Sequence, residues 1–354
     1  MRVKLDDVCE KGSSNLKQAD VIGKNGNYPI YGAAGYIGNV DFYHQSKPYV
    51  AVVKDGAGIG RATLFPAKSS VIGTMQYLIP KNNVLPEYLS YVVQYMHLEK
   101  YFSGATIPHI YFRDYKNEEF NLDPIERQRE IVDILGKIQT VIEARQQELQ
   151  KLDELVKARF VEMFGSEKNK CPLAELCSII TDGTHQPPKF QERGIPFIFV
   201  SNLANNTVTY NADKYISEET YWELYKRTPI EIGDLLLSTV GSYGHPAVVT
   251  EERKFLFQRH IAYLKPNRNI VDSFFLHSAL LSPNGQIQIE EKVKGIAQKT
   301  LNLSEIRKIM IPVPPIEKQK QFAGFVKQID KSKVVKFNYL CNTLINSVIE
   351  EVSQ

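Results

Sequence analysis

The sequence lacks the segments that carry a protein into or across a membrane. No apolar run approaches the ~18 residues that a transmembrane helix needs. The first ten residues, MRVKLDDVCE, contain no apolar signal core. We therefore expect a cytoplasmic protein with no membrane partner.

Cysteine is also scarce, and its spacing does not suit metal binding. The four cysteines form no CxxC pair and have no histidine at metal-ligand spacing; they are Cys9, Cys171, Cys177 and Cys341. This spacing excludes the usual zinc-finger patterns, and we predict no metal site. In a reducing compartment we expect free thiols inside cores.

Neither sign of charge is in large excess. The 43 Lys and Arg residues exceed the 40 Asp and Glu residues by only three. This balance permits a nucleic-acid partner but does not argue for one. The length of 354 residues, with 43% hydrophobic residues, predicts about two domains with ample material for two cores.

What the sequence does contain is an internal repeat. DPIERQREI (123–131) returns as PPIEKQKQF (314–322), an offset of 191. Three further matches keep the same chain order: VKLDDVC with CPLAELC at an offset of 168, YLIPKNN with YLKPNRN at 186, and SGATIPHIYFRD with KGIAQKTLNLSE at 191. Chance matches would scatter these offsets. The steady rise therefore indicates two copies of one module, the second longer by insertions.

Each copy begins with short β-strand signals separated by glycine-rich turns. In copy one they are YPIY, YVAVV, RATLF and MQYLI, and in copy two PFIFV, DLLLSTV, PAVVT and IAYLK. PEYLSYVVQYMHLEKYF (86–102) is predicted as one helix, and copy two has a helix from Asp272. This mixture predicts a compact α+β module.

Each copy ends in a long helix-like stretch. From Ile131 to Val156 apolar residues recur at heptad spacing, with Arg145 at one seam position. The second stretch has a less regular apolar stripe: Val326, Ile329, Phe337, Leu340, Leu344 and Val348, interrupted by Lys333. Each helix is too apolar on one side to stand alone in water. We therefore expect the two helices to pair antiparallel and to hold the modules apart.

These motifs resemble the specificity subunit of type I restriction–modification systems. LDPIERQREI and VPPIEKQKQF, each at the head of a long helix, carry the resemblance. GATIPHIYFRD and the glycine turns in YPIYGAAGYIGNVDFY and KDGAGIGRA also resemble the target-recognition domains of that family. The resemblance covers essentially the whole chain.

The resemblance implies an α+β fold with two target-recognition domains in pseudo-two-fold arrangement, separated by two long antiparallel coiled-coil helices. We place recognition domain 1 at 1–122, helix 1 at 123–165, recognition domain 2 at 166–313 and helix 2 at 314–354. Each domain would read one half of a split, asymmetric sequence in double-stranded DNA. The implied partners are two modification (methylase) subunits, which carry S-adenosylmethionine, and ATP-dependent restriction subunits that act as nuclease and translocase.

The chain shows no catalytic motif of its own. Neither Pro-Pro pair, in QPPK and VPPI, fits the loop with which an adenine methylase holds a flipped base. No P-loop sequence exists, and GAGIG (56–60) lacks GxGxxG spacing, so we interpret it as a hairpin turn. We therefore predict a non-catalytic subunit that binds no cofactor itself.

Polar residues around the glycine turns and in two histidine loops are the candidate DNA contacts. Lys and Arg neutralise phosphates, whereas Arg, Lys, Asn, Gln and Ser read base edges. The candidates are Tyr36, Asn39, Lys54, Arg61, His109, Arg113, His185, Gln186, Lys189, Ser242, Tyr243, His245, Gln258 and Arg259. Any one of them could be a solvated surface residue, so the signal lies in the clustering. We expect His97 and His277 to be structural residues in helices, and Trp222 to anchor a core.

The heads of the two helices supply candidate contacts to the methylase subunits. These are Arg127, Arg129, Arg145, Lys318 and Lys320. For Arg145 the alternative is a structural role, in which it sets the register of the coil. Two other functions stay open at this point: a coiled-coil adaptor with two protein-binding modules, and the specificity chain of a related type II system.

Overall fold

A computed structural model describes residues 1–103, 108–295 and 298–333 of the chain. The chain divides into two compact units, Met1–Glu143 and Ala144–Gln354. Each unit contains an α+β domain, as the repeat predicts.

The first domain consists of short strands and short helices. Its strands are β1 (Arg2–Lys4), β2 (Cys9–Ser13), β3 (Tyr28–Gly32), β4 (Gly35–Val40), β5 (Tyr49–Val53), β6 (Ala62–Phe65), β7 (Ser70–Val71), β8 (Met75–Pro80) and β9 (Glu119–Asn121). Its helices are α1 (Leu5–Val8), α2 (Pro86–Tyr95) and α3 (Phe112–Tyr115), with 3-10 turns at Gln18–Asp20 and Leu98–Tyr101. The strands form sheets of order β2-β8-β5-β6, β4-β3-β7 and β1-β9.

The second domain follows the long helix α4 (Ile125–Phe164) and repeats this plan. Its strands are β10 (Lys170–Pro172), β11 (Cys177–Asp182), β12 (Ile195–Ile198), β13 (Tyr215–Ile216), β14 (Leu235–Ser238), β15 (Pro246–Val248), β16 (Leu256–Phe257), β17 (Ile261–Pro266) and β18 (Met310–Pro312). Its helices are α5 (Leu173–Leu176), α6 (Glu218–Tyr225), α7 (Ser273–Leu281), α8 (Pro283–Lys292) and α9 (Leu303–Ile306), with a 3-10 turn at Val200–Leu203. The sheets have the order β11-β17-β14-β15, β13-β12-β16 and β10-β18.

The two domains therefore share one topology, which confirms the repeat. Strands β8 and β17 lie 186 residues apart, and helices α3 and α9 lie 191 apart, at the offsets of the sequence matches. The pairs β1–β9 and β10–β18 are both antiparallel. Residues 104–107 and 296–297, which belong to the weakest sequence match, lie outside the described residues.

The central strands are apolar on both faces because each face covers a different core. On β5, Val50 and Val52 face one hydrophobic cluster, whereas Tyr49, Ala51 and Val53 face another. This follows from the alternation of side chains along a strand. Strand β14 repeats the division, with Leu235 and Leu237 on one side and Leu236 on the other.

The predicted single helix over 86–102 is wrong. Helix α2 ends at Tyr95, and His97 takes a left-handed backbone with φ of 51° before a 3-10 turn. His97 is thus an exposed residue between α2 and the 3-10 turn, and not a structural helix residue. Leu98, the next residue, is buried in the first domain's core. His277 does lie in a helix, α7, as expected.

The two long helices pack against each other in antiparallel order within the second unit. The second one, α10, is described over 316–333. Phe160 and Phe164 of α4 contact Phe322, with ring centroids 5.4 and 5.6 Å apart, and Asp153 pairs with Lys333 at 2.6 Å. Contacts that move back along α4 as they move forward along α10 confirm the antiparallel pairing. Stripe members Phe337, Leu340, Leu344 and Val348 lie outside the described residues.

No helix within the described residues is long and apolar enough to cross a membrane. Cys9, Cys171 and Cys177 are free thiols, and burial raises the pKa of Cys9 and Cys177 to about 12. Cys341 lies outside the described residues.

Candidate DNA interface

In the first domain the glycine hairpin that joins β5 to β6 contacts the loop at 108–110. The hairpin donates from Gly56 N–H to the Pro108 carbonyl at 3.0 Å, and Ile110 N–H donates to the Lys54 carbonyl at 3.0 Å. Gly56, Gly58 and Gly60 all have positive φ, between 80° and 83°. Only glycine adopts such angles readily, so the predicted hairpin turn is confirmed with its physical reason.

These backbone contacts bring predicted residues of both loops together. The Asp55 carboxylate contacts the Nδ1 of His109, and the Lys54 Nζ lies 3.6 Å from the same carboxylate. The His109 ring meets Tyr111 edge-on at 4.1 Å, and the Arg113 guanidinium lies over Tyr111 at 4.6 Å. The carboxylate thereby orients donor groups at the surface of the domain.

A cleft of about 730 Å³ lies next to this cluster. Its lining includes Tyr36, Asp55 and Arg61, so two further predicted residues line the same space as Asp55. Tyr36 donates through its hydroxyl to Asn39 at 3.2 Å, and Arg61 donates to the Ala33 carbonyl. The predicted residues of the first domain thus form one neighbourhood, with exposed donors that suit phosphate and base-edge acceptors.

In the second domain the end of β11 lies unusually close to the segment after β16. A Cβ on Gly183 would lie only 2.3 Å from the Phe257 carbonyl oxygen and 2.5 Å from that of Gln258. Thr184 N–H donates to Phe257, and Arg259 N–H donates to Thr184, at 2.9 and 3.0 Å. The absence of a side chain at Gly183 therefore brings Gln258 and Arg259 beside the predicted loop 185–189.

Asp182 organises that loop. Its carboxylate accepts from the His185 Nε2 at 2.8 Å and from the Arg227 guanidinium at 2.6 Å. The Asp182 side chain is 17% exposed, whereas those of His185 and Arg227 are each 52% exposed. A mostly buried acid thus holds two exposed donors at the mouth of a cleft of about 400 Å³, which Gln186 and Lys189 also line.

The three predicted residues of the turn at 242–245 lie in different environments. Ser242 is exposed. The Tyr243 hydroxyl donates to Glu290, and this bond together with Lys299 holds the pKa of that carboxyl below its usual range. The His245 ring contacts Asn206 at 3.1 Å and is half-buried, so it is directed into the domain.

Arg259 and the Ser242 turn are linked through His260. The Arg259 Nε lies 3.4 Å from the His260 ring, and burial together with this arginine lowers the pKa of His260. Thr239 N–H donates to the His260 carbonyl at 2.9 Å, and Gly241 N–H donates to Lys299 at 3.3 Å. The predicted residues of the second domain thus lie along one run of connected loops.

The two domains use the same backbone bridge with different side chains. Asp55 bridges His109 in the first domain, and Val240 bridges Thr300 in the second. His109 and Thr300 are 191 residues apart, at the offset of the repeat. The frame is therefore duplicated, whereas an acid and a histidine in one copy are replaced by an apolar and a hydroxyl side chain in the other.

Sequence reasoning missed several residues of these sites. Arg227 lies 45 residues after Asp182, and nothing in the sequence joins the two. Tyr111 was equally hidden, although it stands between His109 and Arg113 in the predicted stretch. The expectation that Trp222 anchors a core is wrong: it is 50% exposed, and its indole donates to Glu218 at 3.0 Å while Lys254 lies over its ring.

The five candidate partner contacts all reach the surface to some extent. Arg129 and Lys318 are exposed, Arg127 pairs with Glu130 at 2.8 Å, and Lys320 pairs with Glu317 at 3.3 Å. Arg145, half-buried on the seam, pairs with Glu148 at 2.5 Å. Their binding role stays a prediction.

Known proteins are similar in sequence to both domains of the chain. The sequence model of the family described as type I restriction modification DNA specificity domain matches residues 1–154 and again residues 166–336. The EcoBI specificity subunit of Escherichia coli is 32% identical over 147 residues, which are 42% of this chain and 31% of that subunit. The MjaVIII specificity subunit of Methanocaldococcus jannaschii is 22% identical over 315 residues, which are 81% of this chain and 73% of that subunit.

A solved structure shows the same fold. The S subunit of the type I restriction–modification system of M. genitalium superposes with a TM-score of 0.53 at 16% identity, covering 99% of this chain and 94% of that chain. The predicted fold class, two α+β recognition domains with long helices, is confirmed. The chain therefore belongs to the type I restriction modification DNA specificity family, the non-catalytic DNA-recognition component of type I restriction–modification systems, and it carries that domain twice.

Proposed function

We propose that the two domains of this specificity subunit read two different halves of one split, asymmetric DNA site. The duplicated backbone bridge carries the proposal, because Asp55 and His109 occupy it in the first domain and Val240 and Thr300 occupy it in the second. Equal frames present their loops to DNA in the same way, so unequal side chains select unequal bases.

Donors at the surface, of which His109 is half-buried and the others are exposed, give each domain the chemistry for this task. His109 and Arg113 in the first domain, and His185, Arg227 and Lys189 in the second, offer N–H groups to phosphate oxygens or to the acceptors of a purine edge. Asp55 orients His109, and Asp182 orients His185 and Arg227, before DNA arrives, which lowers the entropy lost on binding.

The proposed partners follow from the family. We propose that the chain binds two methylase subunits, which supply S-adenosylmethionine and methylate the site, and that ATP-dependent restriction subunits complete the nuclease. The complex would work in the cytoplasm, where its DNA is. The helix heads would contact the methylase through Arg127, Arg129, Lys318 and Lys320, and the seam through Arg145.

Exchange of the bridge residues tests the reading of DNA. The chain is co-expressed with its methylase, and methylated positions are mapped by long-read sequencing. The wild type should give one asymmetric bipartite motif. Asp55→Val with His109→Thr should alter only the first half, and Val240→Asp with Thr300→His only the second. A palindromic motif in the wild type, or the same motif in all three proteins, would refute the proposal.

Charge reversal tests the proposed partner surface. Arg129→Glu and Lys320→Glu change equivalent exposed positions in the two helix heads, where glutamate keeps a high helix propensity. Each should reduce co-purification of the methylase. Lys151→Glu, an exposed change in the middle of α4, should leave it intact. Equal co-purification of all three variants would exclude these positions as contacts.

A further inference from the structure

The repeated motif contains a glutamine that is fully buried. Gln128 is 0% exposed. Its side-chain amide donates to the carbonyls of Asn83 at 3.0 Å and Asp123 at 2.9 Å, and its Oε1 accepts from Leu85 N–H at 2.8 Å. One side chain on α4 thereby bonds the loop that starts α2 and the segment that leads into α4 itself.

The second copy repeats this arrangement. Gln319, also 0% exposed, donates to the carbonyls of Ile270 at 3.0 Å and Pro314 at 2.8 Å. Its Oε1 accepts from Asp272 N–H at 3.0 Å, just before α7. Both glutamines therefore make the same three bonds to equivalent backbone groups, while the residues that carry those groups differ between the copies.

Burying an amide side chain is unfavourable unless it is hydrogen-bonded, and a methionine would fill the same space at no such cost. The three hydrogen bonds of the glutamine instead fix the orientation of the domain's loop relative to the first turn of the helix. The covalent link there is short: residues 122–124 join β9 to α4, and residues 313–315 join β18 to α10.

We propose that Gln128 and Gln319 are positioning residues that set the angle at which each recognition domain joins the helix following it, and thereby the spacing that the protein accepts between half-sites. This inference rests on the proposed reading of a split site. Neither glutamine would touch DNA, and neither would affect which bases are read.

The test uses the full chain with its methylase on duplexes that keep both half-sites and vary only the spacer. Gln128→Met and Gln319→Met are compared with the wild type. Gln76→Met and Gln288→Met are the controls, since Gln76 is also buried and both glutamines bond within one domain and not across a domain–helix junction. Gln128→Asn, which keeps an uncharged amide but is one methylene too short to reach all three partners, is a second variant should Gln128→Met fold poorly.

Wild type and controls should prefer one spacer. In the two junction variants the relative rate on neighbouring spacers should rise by about tenfold, which corresponds to about 1.4 kcal/mol, with unchanged half-site sequences. A junction variant that loses methylation equally on all spacers would overturn the proposal, because uniform loss is what mere destabilisation gives.

Hydrogen exchange separates this proposal from the proposed function. The amides of Leu85 and Asp272 should exchange slowly in the wild type, and each should lose protection in the variant of its own glutamine. If the wild type shows no bipartite preference, the proposed function fails. Unchanged protection of these amides in the variants would independently refute the positioning role.

Discussion

Gly183 offers a sharp test of how the second recognition site is assembled. We predict that Gly183→Ala separates the end of β11 from the segment after β16. The added Cβ would lie 2.3 Å from the Phe257 oxygen, 2.5 Å from the Gln258 oxygen and 2.7 Å from the Gln258 carbonyl carbon. All three are backbone atoms, so no side chain can rotate away, and the chain must move by about 1 Å to reach ordinary contact.

The movement strains the bonds that join the two segments. Gly183 N–H donates to Ile261 at 3.2 Å, and Thr184 N–H donates to Phe257 at 2.9 Å. Overpacking of this kind costs about 1–3 kcal/mol, and each weakened bond adds about 1 kcal/mol. We therefore expect the free energy of unfolding of the second domain to fall by about 3 kcal/mol.

The chain contains one tryptophan, Trp222, and it lies in the second domain, so its fluorescence during urea unfolding reports on that domain. Gly324→Ala is the matched control, because an added Cβ would point into open space there and α10 is helical. It should raise the stability by about 0.5–1 kcal/mol. The altered loop should also weaken discrimination in the second half-site alone. An unchanged urea midpoint for Gly183→Ala would refute the close-approach argument.

Arg227→Met should weaken binding of the second half-site about tenfold or more, because loss of an arginine contact to a base has an effect of this size. Fluorescence anisotropy on duplexes with each half-site altered in turn measures this loss. An equal loss on both half-sites would place Arg227 outside the site. Burial lowers the pKa of His277, so the unfolded chain binds more protons below about pH 6.5 and stability is lost as pH falls. His277→Gln, which can still donate to the Asn206 carbonyl, should flatten the acid side of the stability profile, by up to about 1.4 kcal/mol per pH unit, and an unaltered slope would contradict this. Because burial raises the pKa of Cys9 and Cys177 to about 12, neither should react with iodoacetamide in the native protein at pH 8, and peptide mass spectrometry should find them labelled only after denaturation.

The sequence alone determined the features that depend on local pattern. The repeat, the central strands and the start of α4 beside Pro124 could all be predicted, because offsets and apolar periodicity are properties of neighbouring residues. The hairpin at 56–60 could be predicted for the same reason, since its glycines adopt angles that other residues avoid.

Only the tertiary structure decided which polar residues act together. Asp182 and Arg227 are distant in the chain, and His97 interrupts a helix pattern because a turn there suits the packing of Leu98. The buried role of Gln128 was equally hidden, although its recurrence at Gln319 marked it as part of the repeat. Hydrogen-bond partners and burial depend on segments that folding brings together, so a pattern along the chain names the candidate side chains but does not assign their contacts.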